Sequence, residues 1–247
     1  MMGKKIVAIV QARMGSTRLP GKVMLELAGR TTISHVIERC KAIPSVHEVM
    51  IATSDSPADG ILVEEARRLG VRFFQGSETD LLSRYYEAAK YSQADVIVRI
   101  TSDCPLIDPE ISEKTIQYFM NAPDADYCSN VEQRTLPRGL DTEVFSYKAL
   151  ERTHLEAKKD YHREHVGDYM FENPNQFRIY SDTNDYGDFS QYRWTLDTPE
   201  DYELIQKIYG FLYIPGAIFT WKEAVSLMQL NPELALINAD VEQKKYV

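Results

Sequence analysis

Short apolar runs rich in β-branched residues alternate with helical patterns along the first half of the chain. The runs are KKIVAIV, EVMIATSD, VRFF, DVIVRITSD and DADYCSN, and the stretches between them predict helices over 33–42, 58–69, 81–91 and 109–120. Strands separated by helices in this way are typical of a largely parallel sheet that helices cover on both faces. The first half therefore predicts an α/β fold.

The second half of the chain has a less regular pattern. It predicts a strand running into a helix over 142–150, a helix over 164–171, a strand over 177–181 and helices over 199–212 and 221–230. The start of the helix over 199–212 is marked by the sequence DTPE. Because no linker or repeat interrupts the pattern, we expect one domain over 1–247, with an irregular portion at about 130–190.

Composition and charge restrict the location and the partners. The net charge of -9 is spread along the chain, which argues against a nucleic-acid surface. The cysteines, Cys40, Cys104 and Cys128, lack CxxC or metal-ligand spacing, which favours free thiols in a reducing compartment. The apolar run at the start is too short for a secretory signal, and no window approaches the roughly 18 apolar residues of a membrane helix. We therefore expect a cytoplasmic protein without membrane or nucleic-acid partners.

The segment QARMGSTRLPGK, residues 11–22, follows the first apolar run directly and is called the basic loop below. In an open parallel sheet, the carboxyl end of a strand is where ligands bind. Glycine permits close approach of the backbone to a ligand, and Arg13, Arg18 and Lys22 add positive charge. This composition predicts a polyphosphate site; the alternative is a solvated turn whose cations serve no ligand.

Two common phosphate-binding motifs are excluded. A Walker A loop has four residues between its glycines and a hydroxyl residue after its lysine, whereas five residues separate Gly15 from Gly21 here and Val23 follows Lys22. The GxGxxG pattern of dinucleotide-binding folds is also absent from the sequence.

Because of this loop and the apolar run before it, the sequence resembles the cytidylyltransferases that make CMP-activated sugars. This group contains CMP-KDO synthetase and acylneuraminate cytidylyltransferase. The branch it most resembles is that of spore coat polysaccharide biosynthesis protein F. Beyond ARMGSTRLPGK, the similarity rests on IATSD at 51–55, RITSDCPLID at 99–108, LPRGLDTEVFS at 136–146, REHV at 163–166 and RWTLDTPEDYELI at 193–205.

The resemblance implies a single-domain, GT-A-like (Rossmann-like) nucleotidyltransferase fold with a mostly parallel central sheet and helices on both faces. It also implies a nucleoside triphosphate donor, expected to be CTP, together with Mg2+ and a homodimer. The irregular portion would then serve acceptor binding or dimerisation.

The resemblance further implies which residues meet the nucleotide. Arg13, Lys22 and Asp103 are the expected catalytic residues. The expected nucleotide-binding residues are Ala12, Arg13, Gly15, Ser16, Arg18, Lys22, Thr53, Ser54, Asp55, Arg84 and Asp103. Arg84 is displaced relative to the corresponding family motif, so a charge on a helix surface is its alternative role.

Asp103 and Asp197 are the expected magnesium ligands. Nucleotidyl transfer places an oxygen nucleophile on the α-phosphorus and expels pyrophosphate, so the charge must be neutralised and the attack held in line. Magnesium usually takes one or two carboxylates and completes its shell with phosphate oxygens and water. On spacing alone, Asp197 is also typical of a helix N-cap and Asp103 of a turn, but the resemblance favours both as ligands. Asp108, next to Pro109, is expected to cap a helix.

The expected acceptor-binding residues are Arg138, Asp141, Glu143 and His165. A carboxylate-bearing sugar requires a cation, and a hydroxyl nucleophile requires a base. A surface or dimer-interface role is the alternative for these residues. His162 and His165 lack the HExxH pattern and a third ligand, which argues against zinc.

Three functions compete at this point. The first is a cytidylyltransferase-type nucleotidyltransferase that activates a sugar or nonulosonic acid for surface or spore-coat polysaccharide synthesis. The second is a GT-A glycosyltransferase with a nucleotide-sugar donor, which is expected to carry a DxD motif, whereas this chain has TSD at 101–103. The third is a non-catalytic nucleotide-binding partner, which is expected to have lost one of the two aspartates. The basic loop and the presence of both aspartates favour the first.

Overall fold

The computed structural model describes residues 3–182 and 186–243, so three positions of the predicted irregular portion lie outside it. The strands, in chain order, are β1 (Ile6–Gln11), β2 (Glu26–Leu27), β3 (Arg30–Thr31), β4 (Glu48–Ser54), β5 (Arg72–Gly76), β6 (Val96–Thr101), β7 (Tyr127–Ser129), β8 (Glu143–Ser146) and β9 (Ile179–Ser181). The α-helices are α1 (Thr32–Lys41), α2 (Gly60–Arg68), α3 (Leu81–Ser92), α4 (Pro109–Asn121), α5 (Tyr147–Glu156), α6 (Asp160–Glu164), α7 (Asp168–Glu172), α8 (Pro199–Leu212) and α9 (Trp221–Leu230).

Seven of these strands form one central sheet, in the order β5-β4-β1-β6-β8-β7-β9. The first four strands in this order are parallel to one another. β8 is antiparallel to both β6 and β7, and β7 is parallel to β9. The predicted α/β fold with a mostly parallel sheet is therefore confirmed, with one antiparallel strand inserted between β6 and β7.

Helices cover both faces of the sheet, as predicted, because alternate residues of each strand point to opposite sides. Ile6, Ala8 and Val10 belong to a core that also contains the apolar faces of α1, α2 and α4. Val7 and Ile9 belong to the opposite core, with α3 and α5. A third core joins α8 and α9 to the segment that precedes α8.

The structure differs from the predicted elements in two places. The helix predicted over 164–171 is two short helices, α6 and α7, because the backbone at His165 is extended. The hairpin of β2 and β3 was not predicted, because strands of two residues are too short to show an alternation of apolar and polar residues. The turn of this hairpin has positive φ at Ala28 and Gly29. Within the described ranges, no helix is long and apolar enough to cross a membrane.

Candidate active site

A cavity of about 460 Å3 opens at the carboxyl ends of β1 and β6. These strands are neighbours in the central sheet, with Gln11 opposite Thr101. On the other side of β1 lies β4, the next strand of this sheet along the chain. Such a reversal of strand order leaves a crevice in which α/β proteins bind their ligands. The predicted site residues that line the cavity are Ala12, Arg13, Gly15, Ser16, Arg18, Lys22, Arg84, Asp103, His165 and Asp197.

The basic loop owes its shape to a glycine near its end. Gly21 has φ +67°, a left-handed conformation that side chains disfavour, and its N–H donates to the carbonyl of Met14 at 3.3 Å. The chain then enters a turn of 3-10 helix that begins at Lys22 and directs this lysine into the cavity.

Lys22 lies between the two predicted metal ligands. Its Nζ is 2.6 Å from Asp103 Oδ2 and 2.7 Å from Asp197 Oδ1. Burial lowers the pKa of Lys22, but the two carboxylates outweigh burial and raise it above its ordinary value. Burial would raise the pKa of Asp103, yet the charge and hydrogen bond of Lys22 bring it below the ordinary value. Both carboxylates therefore converge on one cation.

Asp197 does not cap α8, which was its alternative role. The N-cap is Thr198, which forms a capping box with Asp201. The Asp197 carboxylate is left to pair with Lys22, with Arg18 at 3.0 Å and with Arg193 at 2.9 Å. Asp108, in contrast, is the N-cap of α4, as expected.

The backbone that leads to Asp197 is fixed by close packing against a glycine. A Cβ added at Gly139 would lie 2.7 Å from the carbonyl carbon and oxygen of Trp194, and the φ of Gly139 is +107°. This contact explains why the motif LPRGLD has glycine here, because any side chain would push the segment before Asp197 away.

Arg84 is a buried cation without a hydrogen-bond partner for two of its nitrogens. It is 4% exposed, and among the described residues its Nε and Nη1 bond to nothing. Burial lowers its pKa, and the positive charge of Arg13 acts in the same direction. A buried, unpaired guanidinium on a cavity wall is costly to the free protein, and an anionic ligand would compensate it. The alternative role of Arg84, a charge on the surface of a helix, does not fit this burial.

The two arginines of the basic loop differ in their surroundings. Arg18 already pairs with Asp197. Arg13 is exposed on the cavity wall and makes no hydrogen bond or ion pair with the residues the structure describes. Of the two, Arg13 is the cation that is available to a ligand without breaking an existing pair.

Thr53, Ser54 and Asp55, which were expected to bind nucleotide, do not line the cavity. Thr53 and Ser54 are buried and donate their hydroxyls to Asp59 Oδ2, at 3.2 Å and 2.5 Å. The other oxygen of Asp59 accepts the backbone N–H of Met14 at 2.7 Å, so this group supports the basic loop from behind. Asp55 is exposed, and its N–H donates to the carbonyl of Gly76.

We expect Asp59→Asn to weaken CTP binding about 10-fold, because an amide nitrogen cannot accept the hydrogen bonds that one carboxylate oxygen accepts now. Asp108→Asn is the matched control: Asp108 is equally buried and accepts the N–H groups of Glu110 and Trp221, away from the basic loop. Both variants should unfold at a lower temperature, and only Asp59→Asn should change the CTP dissociation constant measured by calorimetry. Equal CTP affinity in the two variants would show that the loop holds its shape without Asp59.

The predicted acceptor residues are dispersed. His165 lines the cavity beside Glu164. Glu143 pairs with Arg99, a cavity residue, and accepts the hydroxyl of Tyr127 at 2.8 Å. The other two lie elsewhere: Asp141 forms a two-point pair with Arg134, and Arg138 lines a separate cavity of about 290 Å3.

Several cavity residues were not predicted from the sequence. They include Gln11, Glu78, Arg99, Thr101 and Glu164. Gln11 and Thr101 end the two strands that flank the crevice, so their position at strand ends was the available signal. Arg99 interrupts an apolar run, and a cation in an otherwise buried strand indicates a specific partner.

The donor set fits a magnesium ion. Asp103 and Asp197 supply hard carboxylate oxygens. The ammonium of Lys22 lies within hydrogen-bond distance of both carboxylates, so these two carboxylates are close enough to bind one cation. Among the described residues, no group of three or more His, Cys, Asp or Glu side chains could hold a metal. Two carboxylates are what magnesium commonly uses when phosphate oxygens and water complete its shell.

Comparison with known proteins gives similarity along nearly the whole chain. A family model for cytidylyltransferases matches residues 7–243. The spore coat polysaccharide biosynthesis protein SpsF of Bacillus subtilis is 33% identical over 237 residues, which are 93% of this chain and 96% of that protein. A 3-deoxy-manno-octulosonate cytidylyltransferase of Trichlorobacter lovleyi is 38% identical over 120 residues, 48% of this chain and 46% of that protein.

A solved structure shows the same extent of similarity. The structure of a cytidylyltransferase from Leptospira borgpetersenii has a TM-score of 0.89 and 34% sequence identity to this chain. The match covers 99% of this chain and 100% of the other. The matched stretch therefore extends over the basic loop, over the segments that carry Asp103 and Asp197 and over the irregular portion between these segments.

Proposed function

Since this chain belongs to the cytidylyltransferase family and is a nucleotidyltransferase, we propose that it uses CTP to activate a sugar or nonulosonic acid. The products would be a CMP-sugar and pyrophosphate, and the pathway the synthesis of a surface or spore-coat polysaccharide. The resemblance that the motifs predicted, including the branch of the spore coat protein, is confirmed by these matches. The observation that carries the proposal is the convergence of Asp103 and Asp197 on one cation, in the cavity that also holds the unpaired Arg84.

The triphosphate is bound by cations that the free protein leaves exposed or unpaired. Arg13 lies on the cavity wall without an ion pair among the described residues, and Arg84 presents two guanidinium nitrogens without partners. Each charge-assisted contact contributes about 1.5–3 kcal/mol. The polyanion would therefore offset the cost of burying Arg84.

Asp103 and Asp197 would hold Mg2+, which, when bound, neutralises developing phosphate charge and orients the triphosphate. Lys22, now shared by both carboxylates, places its own positive charge beside the same oxygens.

The reaction exchanges a phosphoanhydride bond of the triphosphate for a phosphoester bond to the acceptor. The hydroxyl oxygen of the acceptor forms a bond to the α-phosphorus, and the bond from that phosphorus to the bridging oxygen of the β-phosphate breaks, so that pyrophosphate leaves. The hydroxyl proton passes to a base, for which His165 is the imidazole on the cavity wall. The protein's task is to hold both reactants in line and to stabilise the negative charge.

We expect CTP to bind more tightly with Mg2+ than without it, and more tightly than ATP. The metal requirement follows from the two carboxylates, whereas the preference for a pyrimidine follows from the family. Calorimetry with each nucleotide, with and without Mg2+, separates the two claims. Equal binding of CTP and ATP would refute the pyrimidine preference, and binding that does not depend on Mg2+ would refute the role given to Asp103 and Asp197.

A further inference from the structure

Gln11, the last residue of β1, has an amide whose orientation is set by its neighbours. Its Oε1 lies 3.1 Å from Arg99 Nε and 3.1 Å from the Tyr85 hydroxyl. Because the Nε–H of arginine can only donate, the amide atom that faces it must be the oxygen. The amide nitrogen is therefore on the other side, and it has no hydrogen-bond partner among residues 3–182 and 186–243, although Gln11 lines the cavity.

Arg99 is held equally firmly and offers a second donor. Its Nη1 pairs with Glu143, whose other oxygen accepts the Tyr127 hydroxyl at 2.8 Å. Its Nη2 makes no hydrogen bond within the described part of the chain, and Arg99 also lines the cavity. Two fixed N–H donors, one on each of the adjacent strands β1 and β6, thus face the same space.

Within the sheet, Arg99 lies on the opposite side of β1 from the cavity residues that follow β5. Arg84 belongs to α3, and Glu78 and Thr79 line the cavity just before that helix, after β5. Arg99 belongs to β6, next to β8, on the other side of β1 in the sheet. The pair shares that side with Glu143, one of the predicted acceptor residues.

The charge at the pair is balanced. Glu143 compensates the guanidinium of Arg99, so the pair contributes hydrogen-bond donors with little net charge. Groups that only donate match ligand oxygens that only accept, namely those of a carbonyl or an acid group.

Resting on the function proposed above, we propose that Gln11 and Arg99 form the acceptor subsite and bind a carbonyl or acid oxygen of the sugar. This assignment replaces Arg138 and Asp141, which lie apart from the cavity, as the acceptor contacts. Gln11 is then a residue that selects the acceptor and leaves the nucleotide untouched.

The test is Gln11→Glu. A carboxylate at this position can still accept the hydrogen bonds of Arg99 and Tyr85, so the fold should persist, while the donor that faces the cavity is replaced by a negatively charged oxygen. Pyrophosphate release is measured with CTP, Mg2+ and a panel of acceptors that includes 3-deoxy-manno-octulosonate, N-acetylneuraminate and a sugar 1-phosphate. CTP affinity is measured separately by calorimetry. Gln206→Glu, on the exposed side of α8, is the control for added charge.

We expect kcat/KM for the most active acceptor to fall about 10- to 100-fold in Gln11→Glu, with CTP affinity unchanged and Gln206→Glu like the wild type. A loss that shrinks at high salt identifies an acid group on the acceptor, and a loss that salt does not change identifies a carbonyl. Weakened CTP binding in Gln11→Glu, or an unchanged kcat/KM for the acceptor, would overturn the assignment. A wild-type enzyme that releases no pyrophosphate with any acceptor would instead refute the proposed function, and the subsite with it.

Discussion

Asp103→Asn is expected to lower turnover by about two decades or more, with an unfolding temperature close to that of the wild type. The substitution removes one formal charge from the pair of carboxylates without changing the side-chain volume. Lys22 keeps its contact with Asp197 in this variant, so no buried cation is left unpaired. Steady-state pyrophosphate release and thermal unfolding, measured on the same preparation, test both halves of the expectation.

Asp197→Asn is expected to lose as much activity and more stability. Lys22, Arg18 and Arg193 all pair with this carboxylate, so the substitution weakens three ion pairs at once. Asp95→Asn is the control. Asp95 directly precedes β6 and Asp103 follows it, so the two aspartates lie at opposite ends of this strand, and Asp95 accepts the N–H of Lys5. Full activity in either Asp103→Asn or Asp197→Asn would remove that aspartate from the reaction.

Arg84→Met is expected to raise the unfolding temperature by about 2–4 °C and to weaken CTP binding about 10- to 100-fold. Methionine fills a similar space without a charge, so the free protein no longer buries a guanidinium with unpaired nitrogens. The same change removes a contact to the triphosphate. A gain in stability together with a loss of affinity is the signature of a residue that the ligand, and not the fold, requires.

Arg39→Met provides the matched control for Arg84. Arg39 is also 4% exposed, but it donates to the carbonyls of Ile107 and Phe219 and its guanidinium lies over the ring of Phe219. This variant should lose stability and keep its affinity for CTP. If Arg84→Met also loses stability and binds CTP as the wild type does, Arg84 supports the fold.

The sequence predicted the fold to the extent that the fold depends on local pattern. The alternation of apolar runs and helices located most elements, and α8 and α9 have the predicted bounds because a Thr N-cap marks each start. The direction of β8 was not predicted, since an apolar run carries no information on the strand it pairs with. The convergence of Asp103 and Asp197 was expected because the family resemblance implies that both are ligands of one magnesium ion.

The parts of the site that were not predicted depend on contacts between distant segments. Asp59 supports the basic loop across 45 positions of sequence, and Arg99 holds Gln11 across 88. Arg138 shares a motif with Glu143, yet the chain turns between them and places Arg138 in another cavity. Local spacing does not report such turns.

The most direct test of the central claim is pyrophosphate release by the wild-type protein from each of the four nucleoside triphosphates, with and without Mg2+, against keto-sugar acids and sugar phosphates. We predict release with CTP and at least one of these acceptors, dependent on Mg2+, with an equal amount of a CMP-sugar formed from a keto-sugar acid or of a CDP-sugar formed from a sugar phosphate. The absence of release from every triphosphate and acceptor in the presence of Mg2+ would contradict the assignment of this cavity as a cytidylyl-transfer site.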